Sequence, residues 1–193
     1  MEIVIKPLSS DILDDWLYFF EKIGFADNPD WAGCYCHFYH FPGSIRKWKK
    51  QSEKQNKEAS IDLIRSGEMQ GFLAYLNDKP VGWCNVNSRD KYAKKLYEDD
   101  SSDSQEKKIA GIVCFLIAHT NRRQGIARKL LKHAISYYKK KEFDLIESYP
   151  RIGELSDAYS YRGPISLYKS EGFIIHKEFE DIYVMRKYLK YIS

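Results

Sequence analysis

The sequence lacks any long apolar run. No stretch approaches the roughly 18 residues that a membrane-spanning helix needs, so we expect no contact with a membrane. Residues 1–10 do not combine a basic segment with an apolar one, so we expect no secretory signal. Cysteine is also scarce, at four among 193 residues. Without a secretory signal, these cysteines are expected to be reduced thiols of a cytoplasmic protein.

The chain carries little excess charge of either sign. Its 31 Lys and Arg against 27 Asp and Glu give a net charge of +4, less than a dedicated nucleic-acid-binding domain shows, so we expect no nucleic-acid partner. A Lys-rich run at residues 46–57 is interpreted as a solvated surface. Hydrophobic residues at 44% and charged residues at 30% are typical of a globular protein. The length predicts a single domain over residues 1–193.

Hydrophobic periodicity predicts the element order β-α-α-β-β-β-α-β-α-β-β. This order indicates an α/β (α+β) fold with a central mixed, mostly antiparallel sheet and helices on both of its faces. Residues 88–108 are charged and rich in Ser and Asp, and are expected to form a mobile excursion. The predicted strands cover residues 2–6, 72–76, 81–86, 109–118, 143–149, 173–179 and 182–188. The predicted helices cover residues 10–23, 56–66, 122–140 and 165–170.

The segment from Phe115 to Arg128 points most directly to chemistry. A buried strand runs through a short polar turn into a long amphipathic helix, whose first N–H groups have no partners within the helix. Small residues at Gly125 and Ala127 would allow a phosphate group close to that backbone, and arginines add positive charge. The turn fits neither the P-loop nor the dinucleotide-binding glycine pattern. A basic helix start with a close-packing glycine explains the spacing equally well.

Arg122-Arg123-Gln124-Gly125-Ile126-Ala127 resembles the [RQ]-x-x-G-x-[GA] motif of the GCN5-related N-acetyltransferase (GNAT) family. Residues 167–173, Leu-Tyr-Lys-Ser-Glu-Gly-Phe, resemble that family's L-Y-x-x-x-G-F motif. The resemblance implies the acyl-CoA N-acyltransferase fold and binding of acetyl-CoA. The chain departs from the family's pattern at three positions. Tyr161 stands where the family often has Asn, Pro164 where Ala is common, and His119 where Pro is usual. The cofactor-binding residues that it implies are Phe115, Leu116, Ile117, Arg122, Arg123, Gln124, Gly125, Ile126, Ala127, Arg128, Tyr161 and Tyr168.

The activity implied by the resemblance is acetyl transfer to a primary amine of a small molecule or peptide, by direct attack in a ternary complex. Tyr168 is the expected general acid that protonates the departing thiolate. Glu147, late in the strand after the long helix, is the expected general base, with Glu68 and His119 as weaker candidates. A non-catalytic acyl-CoA-binding or sensing module is the alternative. Many relatives with this fold form dimers, so the resemblance also implies a homodimer as one possible assembly.

The cysteines leave further hypotheses open. Cys34, Cys36, His37 and His40 are residue types that bind zinc, but their spacing is not that of a standard zinc site, and a packed loop over the acceptor cleft is the preferred interpretation. We therefore expect no metal. Cys84 and Cys114 on central strands are candidates for a covalent intermediate, although buried core thiols are commoner.

Overall fold

A computed structural model describes residues 2–95, 97, 107–153, 156 and 159–190. One seven-stranded sheet runs through it in the order β1-β2-β3-β4-β5-β7-β6. Adjacent strands are antiparallel except for the parallel pair β4 and β5. The strands are β1 Ile3–Pro7, β2 Gly71–Leu76, β3 Lys79–Ser88, β4 Ile109–Ile117, β5 Leu145–Ser148, β6 Ile174–Glu178 and β7 Tyr183–Tyr188. The α-helices are α1 Leu13–Tyr18, α2 Ile45–Trp48, α3 Glu53–Arg65, α4 Ile126–Lys140 and α5 Ile165–Ser170.

Helices cover both faces of this sheet, as the predicted fold class requires. Alternate residues of β2 enter different cores, because side chains of a strand alternate between its faces. Phe72 and Ala74 pack with α4 and α5, whereas Leu73 and Tyr75 pack with α1 and α3. The mixed, mostly antiparallel sheet with helices on both faces is confirmed. No helix in the described part of the chain is long and apolar enough to cross a bilayer.

Several element boundaries differ from the predicted ones. The first predicted helix is a 3₁₀ turn followed by α1 and then a π-helical turn at Phe19–Ile23, which the periodicity does not distinguish. The turn between β2 and β3 is only Asn77-Asp78, both at positive φ, so Lys79 and Pro80 belong to β3. The long helix begins at Ile126 rather than at residue 122, because Gly125 is left-handed.

The predicted excursion at residues 88–108 lies outside the described residues at position 96 and at positions 98–106. Its first part is ordered: Arg89–Lys91 form a 3₁₀ turn, and Tyr92 is buried. The Tyr92 hydroxyl lies 3.1 Å from Asn85 Oδ1 and 3.0 Å from the Gly111 carbonyl oxygen, and its one proton is shared between these two acceptors. This part of the segment is therefore anchored on β3 and β4.

The central strands separate halfway along β4. Asn85 lies opposite Cys114 and Val86 opposite Ile112, so Val113 is an extra residue that bulges β4. A bulge of this kind bends the strand and increases its twist. β4 pairs with β5 only up to Ile112, and beyond that point it has no strand partner on the β5 side among the described residues. The separation opens a cleft in the middle of the sheet.

A candidate acyl-CoA-binding cleft

The cleft has a volume of about 1320 Å³, somewhat above the usual size of small-molecule sites. Its floor is Cys114–Ile117, the half of β4 that pairs with β3 and not with β5. One wall is the loop after α1, and the other is the segment that leads into α5. No described strand pairs with this edge of β4 on the side away from β3, so backbone groups along it are available to an extended ligand.

The turn at the cleft mouth has the geometry of an anion-binding site. Arg123 (φ 62°) and Gly125 (φ 79°) are left-handed, and α4 then begins without any side-chain cap at its N-terminus. The first N–H groups of α4 therefore have no intrahelical or capping partner, and the helix dipole adds positive charge there. A Cβ built on Gly125 would meet no atom within 4 Å. The space above this backbone is open to a phosphate group.

The arginines around the turn are held differently from one another. Arg122 forms a two-point ion pair with Asp27 of the opposite wall, at 2.7 and 3.1 Å, and its Nε donates to the Ile117 carbonyl at 3.3 Å. The Arg122 guanidinium holds the pKa of the Asp27 carboxyl below its usual value. Arg123 and Arg128 line the cleft. Arg128 also lies 3.5 Å from the Glu171 carboxylate.

The predicted general acid, Tyr168, lies just behind the cleft wall. It is fully buried on α5, and its hydroxyl donates a hydrogen bond to the Arg162 carbonyl. Burial raises its pKa well above the usual value, so the hydroxyl keeps its proton at neutral pH. Gly163 separates this hydroxyl from the cleft, and a Cβ there would approach the Tyr168 Oη to 2.9 Å. The neighbouring Leu167 lines the cleft, but Tyr168 does not.

The predicted general base, Glu147, occupies a different environment from the expected one. It is fully buried, and Arg186 Nε donates to its carboxylate at 2.6 Å. Arg89, at 3.3 Å, and the hydroxyls of Tyr97 and Tyr149, at 2.9 and 2.8 Å, complete its hydrogen bonds. A general base must reach the acceptor amine, and Glu147 is not among the cleft-lining residues. The geometry is that of a structural ion pair, and the base role stays a prediction.

The weaker base candidates lie in ordinary surface environments. The Glu68 carboxylate accepts hydrogen bonds from Lys91 at 3.0 and 3.2 Å. His119 lies in the 3₁₀ turn between β4 and α4, where we expected it as a turn residue. Neither residue lines the cleft.

The loop after α1 folds over the cleft as a series of 3₁₀ turns. Tyr35 (φ 44°) and Cys36 (φ 53°) are left-handed, which turns Cys36 inward. α3 holds this backbone, because Ser60 Oγ donates to the Tyr35 carbonyl at 2.9 Å and Asn56 Nδ2 donates to the Gly33 carbonyl at 2.8 Å. Within the described part of the chain, no three His, Cys, Asp or Glu side chains converge as metal ligands.

Most of the predicted cofactor-binding residues come together around the cleft. The exceptions are Tyr168 and Gln124, whose Nε2 donates to the Thr120 carbonyl at 3.1 Å. The sequence did not identify Asp27, whose pairing with Arg122 spans 95 residues. Cys36 was named only as a residue of the loop expected to cover the acceptor cleft, and its position beside Cys114 was not foreseen. The predicted residues that line the cleft are Phe115, Leu116, Ile117, Arg122, Arg123, Gly125, Ile126, Ala127, Arg128 and Tyr161.

Comparison with known proteins connects this cleft to one family. The family model "Acetyltransferase (GNAT) family" matches residues 30–155, more than half of the chain. No functionally characterised, curated protein sequence matches the chain.

Solved structures share its fold at low sequence identity. PaiA N-acetyltransferase from Thermoplasma acidophilum, in complex with coenzyme A, is 18% identical with a TM-score of 0.55, over 97% of this chain and 99% of that one. An N-acetyltransferase from Staphylococcus aureus Mu50 is 14% identical with a TM-score of 0.57, over 98% and 100%. The ribosomal-protein-S18-alanine N-acetyltransferase from Escherichia coli is 16% identical with a TM-score of 0.51, over 100% and 97%. The family match, on a chain with this sheet and this cleft, leads to one conclusion: the protein belongs to the GNAT family of acetyltransferases.

Proposed function

We propose that the protein is an N-acetyltransferase that transfers the acetyl group of acetyl-CoA to a primary amine by direct attack in a ternary complex. The observation that carries the proposal is the conjunction of two features in one cleft. Beyond Ile112, β4 has no partner strand on its β5 side within the described part of the chain, and the uncapped N-terminus of α4 opens onto the same space at Gly125. An extended ligand that ends in a pyrophosphate fits both features.

The residues present fit that ligand. The N–H groups at the start of α4 would bind the pyrophosphate, and Arg123 and Arg128 would neutralise part of its charge. The β4 edge at Phe115–Ile117 would hold the extended arm through backbone hydrogen bonds. Acetyl-CoA, when bound, supplies an activated acyl group in the form of a thioester.

Two groups of the chain then serve the chemistry. A backbone N–H of Ile117 or a neighbour would donate to the carbonyl oxygen, where negative charge develops. Tyr168 would donate its proton to the departing sulfur, which requires its hydroxyl to leave the Arg162 carbonyl. The acceptor amine would enter beside the loop after α1, which forms the opposite wall and is expected to set acceptor specificity.

One observation favours the alternative of a non-catalytic acyl-CoA sensor. The Tyr168 hydroxyl bonds to the Arg162 carbonyl behind the wall instead of facing the cleft. Both functions require the cofactor site, and only the enzyme requires the Tyr168 proton. The wider proposal is a cytoplasmic, single-domain protein whose acceptor is a small-molecule or peptide amine, either as a monomer or as a homodimer.

Calorimetric titration with acetyl-CoA tests the cofactor site. We expect the wild type to bind with micromolar affinity and Gly125→Glu to lose binding, because the carboxylate enters the space meant for phosphate. Gly67→Glu is the matched control: Gly67 also has a positive φ (74°) and open space, but it follows α3 outside the cleft. It should bind like the wild type. A folded wild-type protein that does not bind acetyl-CoA would refute the proposal.

A further inference from the structure

Three cysteines meet the cleft, and they are not equivalent. Cys34, Cys36 and Cys114 all line it, whereas Cys84 is fully buried on β3. Cys36 is 6% exposed and lies on the left-handed turn of the loop after α1. Cys114 is the residue of β4 that follows the bulge, directly before the predicted cofactor-binding residues Phe115–Ile117. Cys36 therefore lies beside the strand edge that would hold the acyl-bearing arm.

One hydrogen-bond donor and a second thiol lie beside the Cys36 sulfur. The indole Nε1 of Trp83 donates to it at 3.2 Å, and Cys114 lies next to it on β4. A donor to sulfur stabilises negative charge there, and the pKa of Cys36 is lowered despite its burial, chiefly by the neighbouring Cys114 thiol. The neighbouring thiols show the opposite behaviour: burial raises the pKa of Cys34 to about 12.

A buried amide in the same place also lacks a partner. Asn85 is fully buried on β3, opposite Cys114, and its Oδ1 accepts from the Tyr92 hydroxyl. Its Nδ2 has no hydrogen-bond partner of ordinary geometry among the described residues, although its side chain lies near both the Cys36 sulfur and the His40 ring. Because a buried donor without a partner is destabilising, a negative charge on the neighbouring Cys36 sulfur would satisfy this amide.

We propose that Cys36 is an acyl acceptor of this cleft, so that the protein transfers the acyl group of an acyl thioester to its own Cys36 when no amine is present. The Sγ of Cys36 forms a bond to the acyl carbonyl carbon while the carbon–sulfur bond of the donor breaks. The Cys36 thiol releases its proton to solvent, and the donor leaves as a thiolate that takes up a proton, so one thioester and one thiol replace another pair and no oxidant is required. Asn85, buried beside the Cys36 sulfur, would stabilise negative charge on that sulfur before the attack. This inference depends on the proposed acyl-CoA site, which it extends.

Intact-mass measurement after incubation with acetyl-CoA, without any amine, is the direct test. We expect the wild type to gain one acetyl group that hydroxylamine removes, and peptide mapping to place it on Cys36. Cys36→Ser should gain none, whereas Cys34→Ser, which changes a thiol of the same cleft, should be acetylated like the wild type. An adduct on another residue, or none in a protein that binds acetyl-CoA by calorimetry, would overturn the inference and leave the proposed function standing. A protein that does not bind acetyl-CoA contradicts the proposed function instead.

Alkylation of the unmodified wild type provides a test that needs neither a variant nor turnover. At pH 7, iodoacetamide should modify Cys36 at least about tenfold faster than Cys34, because alkylation requires the thiolate. Coenzyme A should slow the reaction at Cys36 by occupying the cleft. Equal or slower alkylation of Cys36 would show that its thiolate is not stabilised and would overturn the inference.

Discussion

At the scale of single residues, the environment of a side chain decides which chemistry it can perform. Tyr168 and Glu147 are both fully buried, yet they differ in what surrounds them. The Tyr168 hydroxyl donates to a backbone carbonyl in the segment that forms the cleft wall and lies near the Ser148 side chain, so its release requires that segment to move. The Glu147 carboxylate is fixed by Arg186 and Arg89 and by two tyrosine hydroxyls. The first arrangement allows proton donation only after the hydroxyl is released, whereas the second fixes Glu147 of β5 to Arg186 of β7.

Tyr168→Phe separates the enzyme from the sensor. Removal of the hydroxyl should lower kcat by about a hundredfold or more, the usual contribution of a general acid, and should leave the affinity for acetyl-CoA unchanged. Steady-state kinetics with free-thiol detection, beside calorimetry, would measure both. Tyr159→Phe, which removes a hydroxyl from a cleft-lining residue with no predicted role, serves as the control and should keep most of kcat. A Tyr168→Phe protein with full turnover would contradict the assigned role.

At the scale of elements, α3 supports the acceptor wall of the cleft. It begins with a capping box, in which the Gln55 N–H donates to Ser52 Oγ at 3.2 Å and the Ser52 N–H donates to Gln55 Oε1 at 2.9 Å. Four and eight residues further along, Asn56 and Ser60 hold the loop that carries Cys36. The hydrogen bonds that begin α3 and those that hold the Cys36 loop therefore belong to the same helix.

Ser52→Ala should lower the free energy of unfolding by about 1 kcal/mol, the usual effect of losing an N-terminal cap. Urea denaturation would measure it. Ser66→Ala, at the other end of the same helix, removes only an exposed bond to the Leu63 carbonyl and should change stability by less than about 0.5 kcal/mol. Equal losses in the two variants would show that the capping box does not contribute specifically.

Elements were predictable from the sequence where local chemistry determines them. Residues 165–170 were predicted as a helix, and the structure has α5 there, because a proline precedes the segment and a left-handed Gly172 follows it. The turn before α4 was recognised as a phosphate-binding candidate because small residues follow a strand. The bulge at Val113, the Asp27 pair and the Cys36 environment were not predictable, since each depends on residues brought together by the tertiary fold.

At the scale of the whole molecule, buried histidines couple stability to pH. Burial lowers the pKa of His40 to about 4, and the nearby His37 lowers it further, although Asn85 and Glu68 favour the charged form. His40 is only 7% exposed and is neutral in the folded state. Because its folded pKa lies below the unfolded value of about 6.5, its stabilising contribution is complete above that pH and is lost as the pH falls toward 4.

Urea denaturation at pH 7 and pH 5 should therefore show a decrease of roughly 2 kcal/mol from His40 alone. The carboxyl groups with lowered pKa values, Asp27, Glu21 and Asp144, lose their contribution at lower pH and do not obscure this range. His40→Gln removes the titrating ring and should reduce the difference between the two pH values. The same difference in wild type and variant would show that His40 is not the group responsible.

The short pairing of β4 with β5 also has a mechanical consequence. Four residue pairs join the half-sheet β1–β4 to the half-sheet β5–β7, and the two diverge beyond Ile112. A ligand bound between them would contact both half-sheets and restrict their relative motion. We therefore expect amide hydrogen exchange in β5 and β7 to be slower when the cleft is occupied than when it is empty.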